Sequence, residues 1–466
     1  MKTLKKLRIL SVLFLGLILI TSCSDDDGPA PFVPTLNVVQ IVQNTAGLED
    51  LETALLKYPG LINTLSAPGT FTVFAPTNDA FDAVLAAIGQ ESIDDLPEDV
   101  LENILQYHVH AAAAITSSTI TAGLLPMVNG EDATVTTSGG VFIDNAQVIA
   151  PDGIGTNGVV HVIDAVIVPP SMLPIVGTIV APAYFNKNFT TLIAAVGAAD
   201  PGVLDLLLGA GPSGEGLTLF APTNDAFTAA GITDLGAVVD VVNEVLAYHV
   251  VDGTVLSTDL PTTGISSTGI PTLLEGYSFY LTNKGDGGDV SINGKTQVVL
   301  EAANITASNG VVHVINRTLI PPTQDIVEIV SEFAGASEPE FTLLAAALTK
   351  AGLIDALQGD GPFTVFAPTD AAFLAAGVDQ AYIDAATPEE LQPILLHHVV
   401  EPSVYVFSSD VADGAVPMLN GSSVTISGLT ILDGGENAPP ANLVPSLLDV
   451  HATNGVIHVI DKVLLP

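Results

Sequence analysis

Six histidines recur at matched places in the sequence, and imidazole is both a common metal ligand and a general base near neutral pH. They form three pairs: His108 with His161, His249 with His313, and His398 with His458. Folding could bring a pair together on a metal ion, but two histidines without Cys or carboxylate ligands at suitable spacing make a weak site. We therefore predict that the protein has no metal centre and no cofactor.

The second histidine of each pair stands in a strongly apolar segment. These segments are NGVVHVID at 157–164, NGVVHVIN at 309–316 and NGVIHVID at 454–461. Asn-Gly favours a tight turn, and the branched residues after it favour a strand that is buried on both faces. We expect His161, His313 and His458 to be core residues whose ring nitrogens bond to the backbone.

A threonine would be the nucleophile in a catalytic interpretation of a second repeated motif. The motif is FTVFAPTNDAF at 71–81, LTLFAPTNDAF at 217–227 and FTVFAPTDAAF at 363–373, with Thr77, Thr223 and Thr369 at its centre. The motif contains no general base, and the sequence has no G-x-S-x-G, H-E-x-x-H or Walker A pattern. GIGTNG at 153–158 matches G-x-G-x-x-G but precedes a strand, so it is interpreted as a hairpin turn. We predict that the protein is not an enzyme.

The same motif has a structural interpretation as a corner between a strand and a helix. Apolar and polar residues alternate over 71–73, as in a half-buried strand, and Pro76 ends that strand. Thr77 follows as the N-cap of a helix, with Asn78 and Asp79 in the first turn, where negative charge suits the helix dipole. These threonines are therefore expected to build the fold.

The first histidine of each pair follows a helical pattern. LENILQYHV at 101–109 has apolar residues at helical spacing and then enters a strand. The histidine is preceded by a tyrosine in two copies and by another histidine in the third: Tyr107 with His108, Tyr248 with His249, and His397 with His398.

Three copies of one unit follow from the spacing of these motifs. The FTVFAPTNDAF motif returns after 146 residues and again after another 146, and the order of motifs is the same each time. Such a long period defines domains rather than short solenoid repeats. We predict domain 1 at 36–169, domain 2 at 172–321 and domain 3 at 324–466, joined by short proline-containing segments into a semi-rigid row.

The N-terminal segment predicts export and lipid anchoring. Residues 1–22 combine a cationic start with an apolar run that is too short to span a membrane, as in a signal peptide. Ile20 to Cys23 resembles the lipobox of bacterial lipoproteins, in which Cys23 is acylated. Residues 23–35 form an acidic, proline-containing tether, and its SDDD start resembles a surface-export signal of such lipoproteins. We expect a lipid anchor in the outer membrane of a Gram-negative bacterium, facing the cell surface, with periplasmic retention as the alternative.

The charge balance limits the classes of partner. The chain has 51 acidic and 11 basic residues, and four of the basic ones lie in the first eight positions. The acidic surface repels phosphate backbones and anionic lipid headgroups, which excludes nucleic acid as a partner and leaves the lipid anchor as the membrane contact. A hydrophobic fraction of 48% is sufficient for three packed cores.

Together, the TVFAPTNDAF, Tyr-His and NGVVHVID motifs, in this order over about 140 residues, resemble the fasciclin (FAS1) domain. The resemblance covers residues 36–466 in three copies. It implies an α+β fold in which each domain is a wedge-shaped β-sandwich with helices packed along one side. In animal members the Tyr-His region is associated with integrin contact; here that would indicate Tyr107 with His108 and Tyr248 with His249, whereas the third copy departs with His397 before His398. We do not transfer integrin binding to an acylated bacterial protein, and we expect these residues to serve in packing.

The resemblance implies adhesion between cells or to a matrix. We therefore expect an anchored, surface-displayed adhesion or matrix-interaction protein whose partner is a cell-surface or matrix component, a polysaccharide among them. The alternative is a lipoprotein that binds a glycan or small molecule. Its candidate region is the glycine-rich, lysine-containing segment TNKGDGGDVSINGKTQ at 282–297 of domain 2.

Overall fold

The computed structural model describes residues 33–232, 241–258, 264–265, 269–283, 290–337, 340–411, 413–433 and 439–466. The signal peptide, Cys23 and the tether as far as residue 32 lie outside the described residues, as do residues 284–289 of the glycine-rich segment. Each domain combines helices with β-sheet, which confirms the predicted α+β class. None of the helices in the described part of the chain has the length and apolar character needed to cross a bilayer.

The three domains share one general order: three helices, a first central strand, further helices, and a series of strands that ends with the second central strand. Domain 1 contains α1 (Val38–Asn44), α2 (Glu49–Leu56), α3 (Pro59–Ser66), β1 (Phe71–Pro76), α4 (Asn78–Ile88), α5 (Glu98–Tyr107), β2 (Val109–His110), β3 (Gly123–Pro126), β4 (Asp132–Thr136), β5 (Phe142–Ile143), β6 (Ala146–Gly155) and β7 (Gly158–Ile163). Domain 2 contains α6 (Ala181–Tyr184), α7 (Thr190–Ala198), α8 (Pro201–Leu208), β8 (Leu217–Pro222), α9 (Asn224–Ala229), α10 (Val242–Tyr248), β9 (Val250–Asp252), β10 (Gly264–Ile265), β11 (Ile270–Pro271), β12 (Ser278–Phe279), β13 (Leu281–Asn283), β14 (Val290–Ile292), β15 (Thr296–Gln297), β16 (Ile305–Ala307) and β17 (Gly310–Ile315). Domain 3 contains α11 (Ile326–Gly335), α12 (Thr342–Ala351), α13 (Ile354–Leu357), β18 (Phe363–Pro368), α14 (Asp370–Ala375), α15 (Gln380–Ala385), α16 (Pro388–Leu396), β19 (Gly414–Pro417), β20 (Ser423–Ser427), β21 (Thr430–Leu432), β22 (Ala441–Asn442), β23 (Val450–Ala452) and β24 (Gly455–Ile460).

Two of the repeated motifs pair with each other at the centre of each domain. In domain 1, β1 of the FTVFAPTNDAF motif runs parallel to β7 of the NGVVHVID motif, with Phe71 opposite Gly158 and Pro76 opposite Ile163. Strands β8 with β17 and β18 with β24 pair in the same register. The prediction of a half-buried strand at 71–73 is wrong, because every residue of β1 is buried. A central strand with a neighbour on each side and a layer on each face has no solvent face.

The central strands separate two apolar layers, which gives each domain its sandwich. In domain 1, Val73 and Ala75 face the layer formed with the helices, whereas Phe74 faces the layer formed with β3, β4 and β5. The seven strands of domain 1 run in the order β2-β1-β7-β6-β5-β4-β3. Domain 2 has the orders β16-β17-β8-β9 and β10-β13-β14-β15 with a separate β11-β12 pair, and domain 3 has β18-β24-β23 and β19-β20-β21-β22.

The corner after β1 positions two helices. The Thr77 side chain accepts a hydrogen bond from the Ala80 amide and caps α4. The position of Asn78 in the first turn of α4 suggests an effect on that helix alone. Its side chain, however, also accepts a hydrogen bond from the Asp50 amide in the first turn of α2. Thr223 and Thr369 cap α9 and α14 in the same way, and Asn224 and Asp370 accept hydrogen bonds from the first turns of α7 and α12.

Glycine is required where the hairpin between β6 and β7 meets β1. A Cβ atom on Gly158 would lie 2.3 Å from the carbonyl oxygen of Phe71. The corresponding distances are 1.9 Å from Gly310 to the Leu217 carbonyl oxygen and 2.3 Å from Gly455 to the Phe363 carbonyl oxygen. The glycine of each NG pair therefore permits the parallel pairing of the central strands.

The start of domain 2 packs against domain 1. Ala181 and Phe185 are buried in the same apolar cluster as the helices of domain 1. Gln90 donates a hydrogen bond to the carbonyl of Pro182 at 3.4 Å, and the Lys187 ammonium donates to the carbonyl of Asp94 at 2.7 Å. The two domains thus share apolar surface at their junction.

Candidate functional site: the polar residues shared by the three cores

The histidine of the Tyr-His motif joins the end of a helix to the end of its domain. His108 is buried at the C-cap of α5, with Nδ1 2.7 Å from the carbonyl oxygen of Ile104, and its Nε2 accepts a hydrogen bond from the Ile167 amide at 3.1 Å. Because Nε2 must accept, the proton is on Nδ1 and the ring is neutral. His249 makes the same contacts with Val245 and Leu319, and His398 with Ile394 and Leu464.

Burial keeps these rings neutral. It lowers the pKa of His108, His249 and His398 to about 4, against a weaker opposing effect of the backbone carbonyl that each ring contacts. A protonated ring would carry a hydrogen on both nitrogens. The hydrogen on Nε2 would then point at the backbone N–H group from which Nε2 now accepts a hydrogen bond. The three residues therefore act as fixed hydrogen-bonding bridges near neutral pH.

The tyrosines of the motif are fully buried. The Tyr107 hydroxyl donates to the carboxylate of Asp144 at 2.8 Å, and the Tyr248 hydroxyl accepts from the Asn293 amide at 3.0 Å. Tyr107 belongs to the apolar layer formed with β3, β4 and β5, and Tyr248 belongs to the corresponding layer of domain 2. Neither tyrosine offers accessible surface, since the exposure of each is 0%.

Domain 3 has a different arrangement at this place. His397 is buried, and its Nδ1 lies 2.6 Å from the Ser422 hydroxyl. Its Nε2 is a buried nitrogen without a hydrogen-bond partner among the described residues. Burial lowers the pKa of His397, so the ring is neutral near pH 7.

The histidine of the NGVVHVID strand holds a loop. Nδ1 of His161 accepts from the Asp152 amide at 3.3 Å, so Nε2 carries the proton and donates to the carbonyl of Ile115 at 2.8 Å. His313 makes the same contacts with Asn304 and Val255, and His458 with Asp449 and Val406. Burial lowers the pKa of all three rings. Within each pair, the two histidines thus bind different backbone segments.

A serine and an acidic or amide residue complete this loop, and sequence analysis missed both. In domain 1 the Ser117 hydroxyl and amide both donate to the carboxylate of Asp152, which has a positive φ of 64°. Ser408 with Asp449 repeats the arrangement. In domain 2 the Ser257 amide donates to the side-chain oxygen of Asn304, and the side-chain amide of Asn304 donates to the Ser257 hydroxyl. The acidic or amide residue precedes the strand histidine by nine positions in every copy, and this constant spacing was the signal available in the sequence.

The three residue types of a serine hydrolase meet at this loop, but they are connected differently. In a catalytic triad the serine hydroxyl donates to the histidine and the histidine donates to the carboxylate. Here the Ser117 hydroxyl donates to Asp152, and both nitrogens of His161 bond to backbone groups. These contacts hold the loop in place and leave the serine without the base that would activate it.

A buried asparagine is the second feature that sequence analysis missed. The Asn157 side chain accepts from the Val38 amide at 3.0 Å and donates to the carbonyls of Leu65 at 2.7 Å and Ala67 at 2.8 Å. It therefore joins the start of α1 to the end of α3. Asn309 and Asn454 make the same three bonds in their domains.

The described residues also form open cavities on the surface of the domains. One in domain 2 has a volume of about 430 Å³ and is lined by residues from 210–216, 254–256 and 306–311, among them Glu215 and Thr254. Another, in domain 3, has a volume of about 200 Å³ and is lined by Phe366, Ser408 and His458 together with aliphatic residues. Across the described residues, no group of three or more His, Cys, Asp or Glu side chains is arranged to hold a metal ion.

Comparison with known proteins identifies the repeated unit. A family model of the fasciclin domain matches residues 47–169, 187–321 and 339–466. The chain is 27% identical over 446 residues to transforming growth factor-beta-induced protein ig-h3 of Sus scrofa, which aligns 93% of this chain with 58% of that protein. It is 30% identical over 315 residues to periostin of Homo sapiens, with 66% of this chain and 34% of that protein aligned.

Two further similarities have a smaller extent. The chain is 41% identical over 139 residues to protein sll1483 of Synechocystis sp., an alignment of 29% of this chain with 77% of that protein. The solved structure of a FAS1 domain pair from the insect cell adhesion molecule fasciclin I matches at 20% identity and a TM-score of 0.28, covering 60% of this chain and 97% of the pair. The chain spans 58% of the length of ig-h3 and 34% of that of periostin.

Proposed function

The chain belongs to the fasciclin family, and on that premise we propose that it is an adhesion or matrix-interaction protein that acts through three tandem fasciclin domains. We further propose that it is anchored through an acylated Cys23 in the outer membrane of a Gram-negative bacterium and displayed on the cell surface. Its partner is a cell-surface or matrix component, and polysaccharide is the first class to test.

The inward direction of the shared polar residues supports this proposal. The side chains of Asn157, His108 and His161 are buried and bond to the backbone of their own domain, and their counterparts do the same in the other two domains. What the copies share therefore builds the cores, and recognition is left to the outer surface. Three linked surfaces gain avidity without any single tight contact.

The acidic tether and surface suit this location. Residues 24–35 would separate domain 1 from the bilayer, and the acidic chain would not adsorb to anionic headgroups. If Cys23 is the site of acylation, Cys23→Ser removes the thiol that carries the lipid. We expect cell fractionation to find this variant outside the membrane fraction, with its domains still folded.

A bead assay tests adhesion. Beads carry residues 24–466 at graded densities and flow over bacterial cells and over surfaces coated with extracted polysaccharide or matrix protein. We expect retention to rise more steeply than linearly with density, because several weak contacts must act together. Control beads carry an unrelated folded protein of similar net charge. Retention no higher than that of the control at every density and on every surface would contradict the proposal.

The domain 2 cavity favours glycan binding as a second candidate function. Its volume of about 430 Å³ lies within the usual range for ligand sites, and it has polar groups at its rim. The described residues of the glycine-rich segment, 282–283 and 290–297, do not line it. In the same assay, a free oligosaccharide is added as a competitor. This second function is supported if the oligosaccharide inhibits bead retention on the polysaccharide surface at a concentration that leaves retention on the other surfaces unchanged.

A further inference from the structure

An aromatic cluster joins domain 2 to domain 3. The ring centroid of Tyr280 in domain 2 lies 4.3 Å from that of Tyr405, 5.8 Å from that of Phe407 and 6.3 Å from that of His451, all in domain 3. These separations are close to those that favour aromatic pairs. We call these four residues the aromatic clamp.

Polar contacts flank the aromatic clamp. The Thr282 hydroxyl of domain 2 donates to the carboxylate of Asp410 and accepts from the Ser409 hydroxyl at 3.0 Å. On the other side, the turn at Gly294 touches domain 3 so closely that a Cβ there would lie 2.5 Å from Cγ of Asp449. Lys295 next to it is half-buried, and this burial lowers its pKa while Asp449 opposes the shift. The junction is thus packed across its width.

The domain 2 half of the clamp is absent from the equivalent place in the other domains. The Tyr107 hydroxyl oxygen lies 3.2 Å from the carbonyl oxygen of Asp132, and the Tyr248 hydroxyl oxygen lies 3.1 Å from that of Ser278, so Asp132 and Ser278 occupy corresponding positions. Asp132 lies opposite Pro126 and Ser423 opposite Pro417 in matching strand pairs. Two residues further on, domains 1 and 3 have the exposed Thr134 and Thr425 where domain 2 has Tyr280.

The domain 3 half is equally specific to its copy. A buried threonine of each central strand donates to the carbonyl of Ala113, Gly253 or Val404. The next residue is therefore Ala114 in domain 1, Thr254 in domain 2 and Tyr405 in domain 3.

Two more positions show the same difference. The residue before the loop serine is Thr116, Leu256 or Phe407, and the residue two positions after the loop Asp or Asn is Ile154, Thr306 or His451. The fasciclin fold therefore forms without any of these aromatic side chains, which indicates that they serve the junction rather than the domain.

We propose that the aromatic clamp makes domains 2 and 3 a single cooperative unit with a fixed mutual orientation. Phe407 is buried and the other three rings are partly buried at the junction, and the Thr282 and Gly294 contacts define its angle. The unit would present one continuous surface spanning both domains. This inference does not depend on which partner the protein binds.

The residues at the equivalent positions of the other domains can be used as substitutions, because they should remove the aromatic clamp and leave the fold of each domain intact. Tyr280→Thr introduces the residue of domains 1 and 3, and Tyr405→Ala introduces that of domain 1. The matched control is Thr134→Ala, which changes the equivalent exposed position of domain 1. All are made in residues 24–466.

Hydrogen exchange read by mass spectrometry along a guanidinium titration follows each domain through its own peptides. In the parent protein and in the control, peptides from β8 and β17 should lose protection at the same midpoint as peptides from β18 and β24. In the Tyr280→Thr/Tyr405→Ala protein the two midpoints should separate by about 0.5 M or more. Separate midpoints in the parent protein, or coinciding midpoints in the double variant, would overturn the proposal.

A distance measurement reports orientation independently of stability. The sequence has one cysteine, and residues 24–466 exclude it, so spin labels can be placed at Glu244→Cys in domain 2 and Glu389→Cys in domain 3, both exposed. We expect a narrow distance distribution that becomes at least twice as wide in the double variant. A parent distribution as wide as that of the double variant would overturn the fixed orientation.

Discussion

Replacing Asn157 with Ala is expected to lower the unfolding free energy of domain 1 by about 3 to 5 kcal/mol, because each buried backbone group left without a partner costs about 1 to 3 kcal/mol. The substitution removes three hydrogen bonds at once, to the amide of Val38 and to the carbonyls of Leu65 and Ala67. It also disconnects the start of α1 from the end of α3, since Asn157 is the side chain that joins them.

Guanidinium titration followed by circular dichroism and domain-resolved hydrogen exchange measures this loss. The matched control is Asn44→Ala, at an exposed asparagine whose side chain bonds only within α1. The control is expected to stay within about 0.5 kcal/mol of the parent protein. If Asn157→Ala costs no more than the control, the carboxamide does not carry the connection that its geometry indicates.

Acidification should destabilise domain 2 by about 2 kcal/mol between pH 7 and pH 5 through His249 alone. Burial lowers the pKa of His249 in the folded state to about 4 from its ordinary value of 6.5. Between these two values the unfolded state binds more protons than the folded state, so stability rises with pH. The contribution is complete above about pH 6.5, is lost as the pH falls towards 4, and reaches about 3 kcal/mol in full.

Unfolding free energies measured at intervals from pH 7 to pH 5 test this expectation. This range lies above the usual carboxylate pKa values, so loss of charge repulsion contributes little. His249→Gln should be less stable at pH 7 but should show a flatter pH profile in domain 2. Tyr248→Phe alters the neighbouring buried residue without removing the imidazole and should keep the parent slope. An unchanged slope in His249→Gln would show that another group titrates.

The sequence predicted those parts of the fold that depend on local chemistry. Pro76 and Thr77 mark a strand end and an N-cap through backbone preferences that act within a few residues, and the structure has both. The threefold repeat follows from motif order, and the α+β class is what the resemblance of those motifs to the fasciclin domain implies. The degree of burial of β1 could not be predicted from its own residues, because it depends on the neighbouring strands β2 and β7 and on the layers that cover both faces.

Contacts between distant residues could not be predicted from one sequence. Asn157 bonds to Val38 across 119 residues, and its Asn-Gly setting indicates only a turn. Ser117 and Asp152 are 35 residues apart and have no feature that links them before the fold is known. Tyr280 differs from its counterparts in the other copies, but only the packing of domain 3 against it gives that difference a meaning.

The Tyr-His motif shows the limit of carrying residue roles between relatives. The pattern resembles a contact region of animal family members, yet Tyr107 and Tyr248 are entirely enclosed in the apolar cores of their own domains. A partner could reach these rings only if the sandwich opened. In this chain the two tyrosines are therefore core residues.

The proposal that shared residues build cores while the surface recognises partners has one decisive test. Tyr107→Phe/Tyr248→Phe removes both motif hydroxyls from residues 24–466, and circular dichroism establishes that the protein is folded at the assay temperature. Bead retention is then measured beside the parent protein at equal density. We predict equal retention. A tenfold loss in a fully folded variant would show that the motif itself makes the contact and would contradict the proposal.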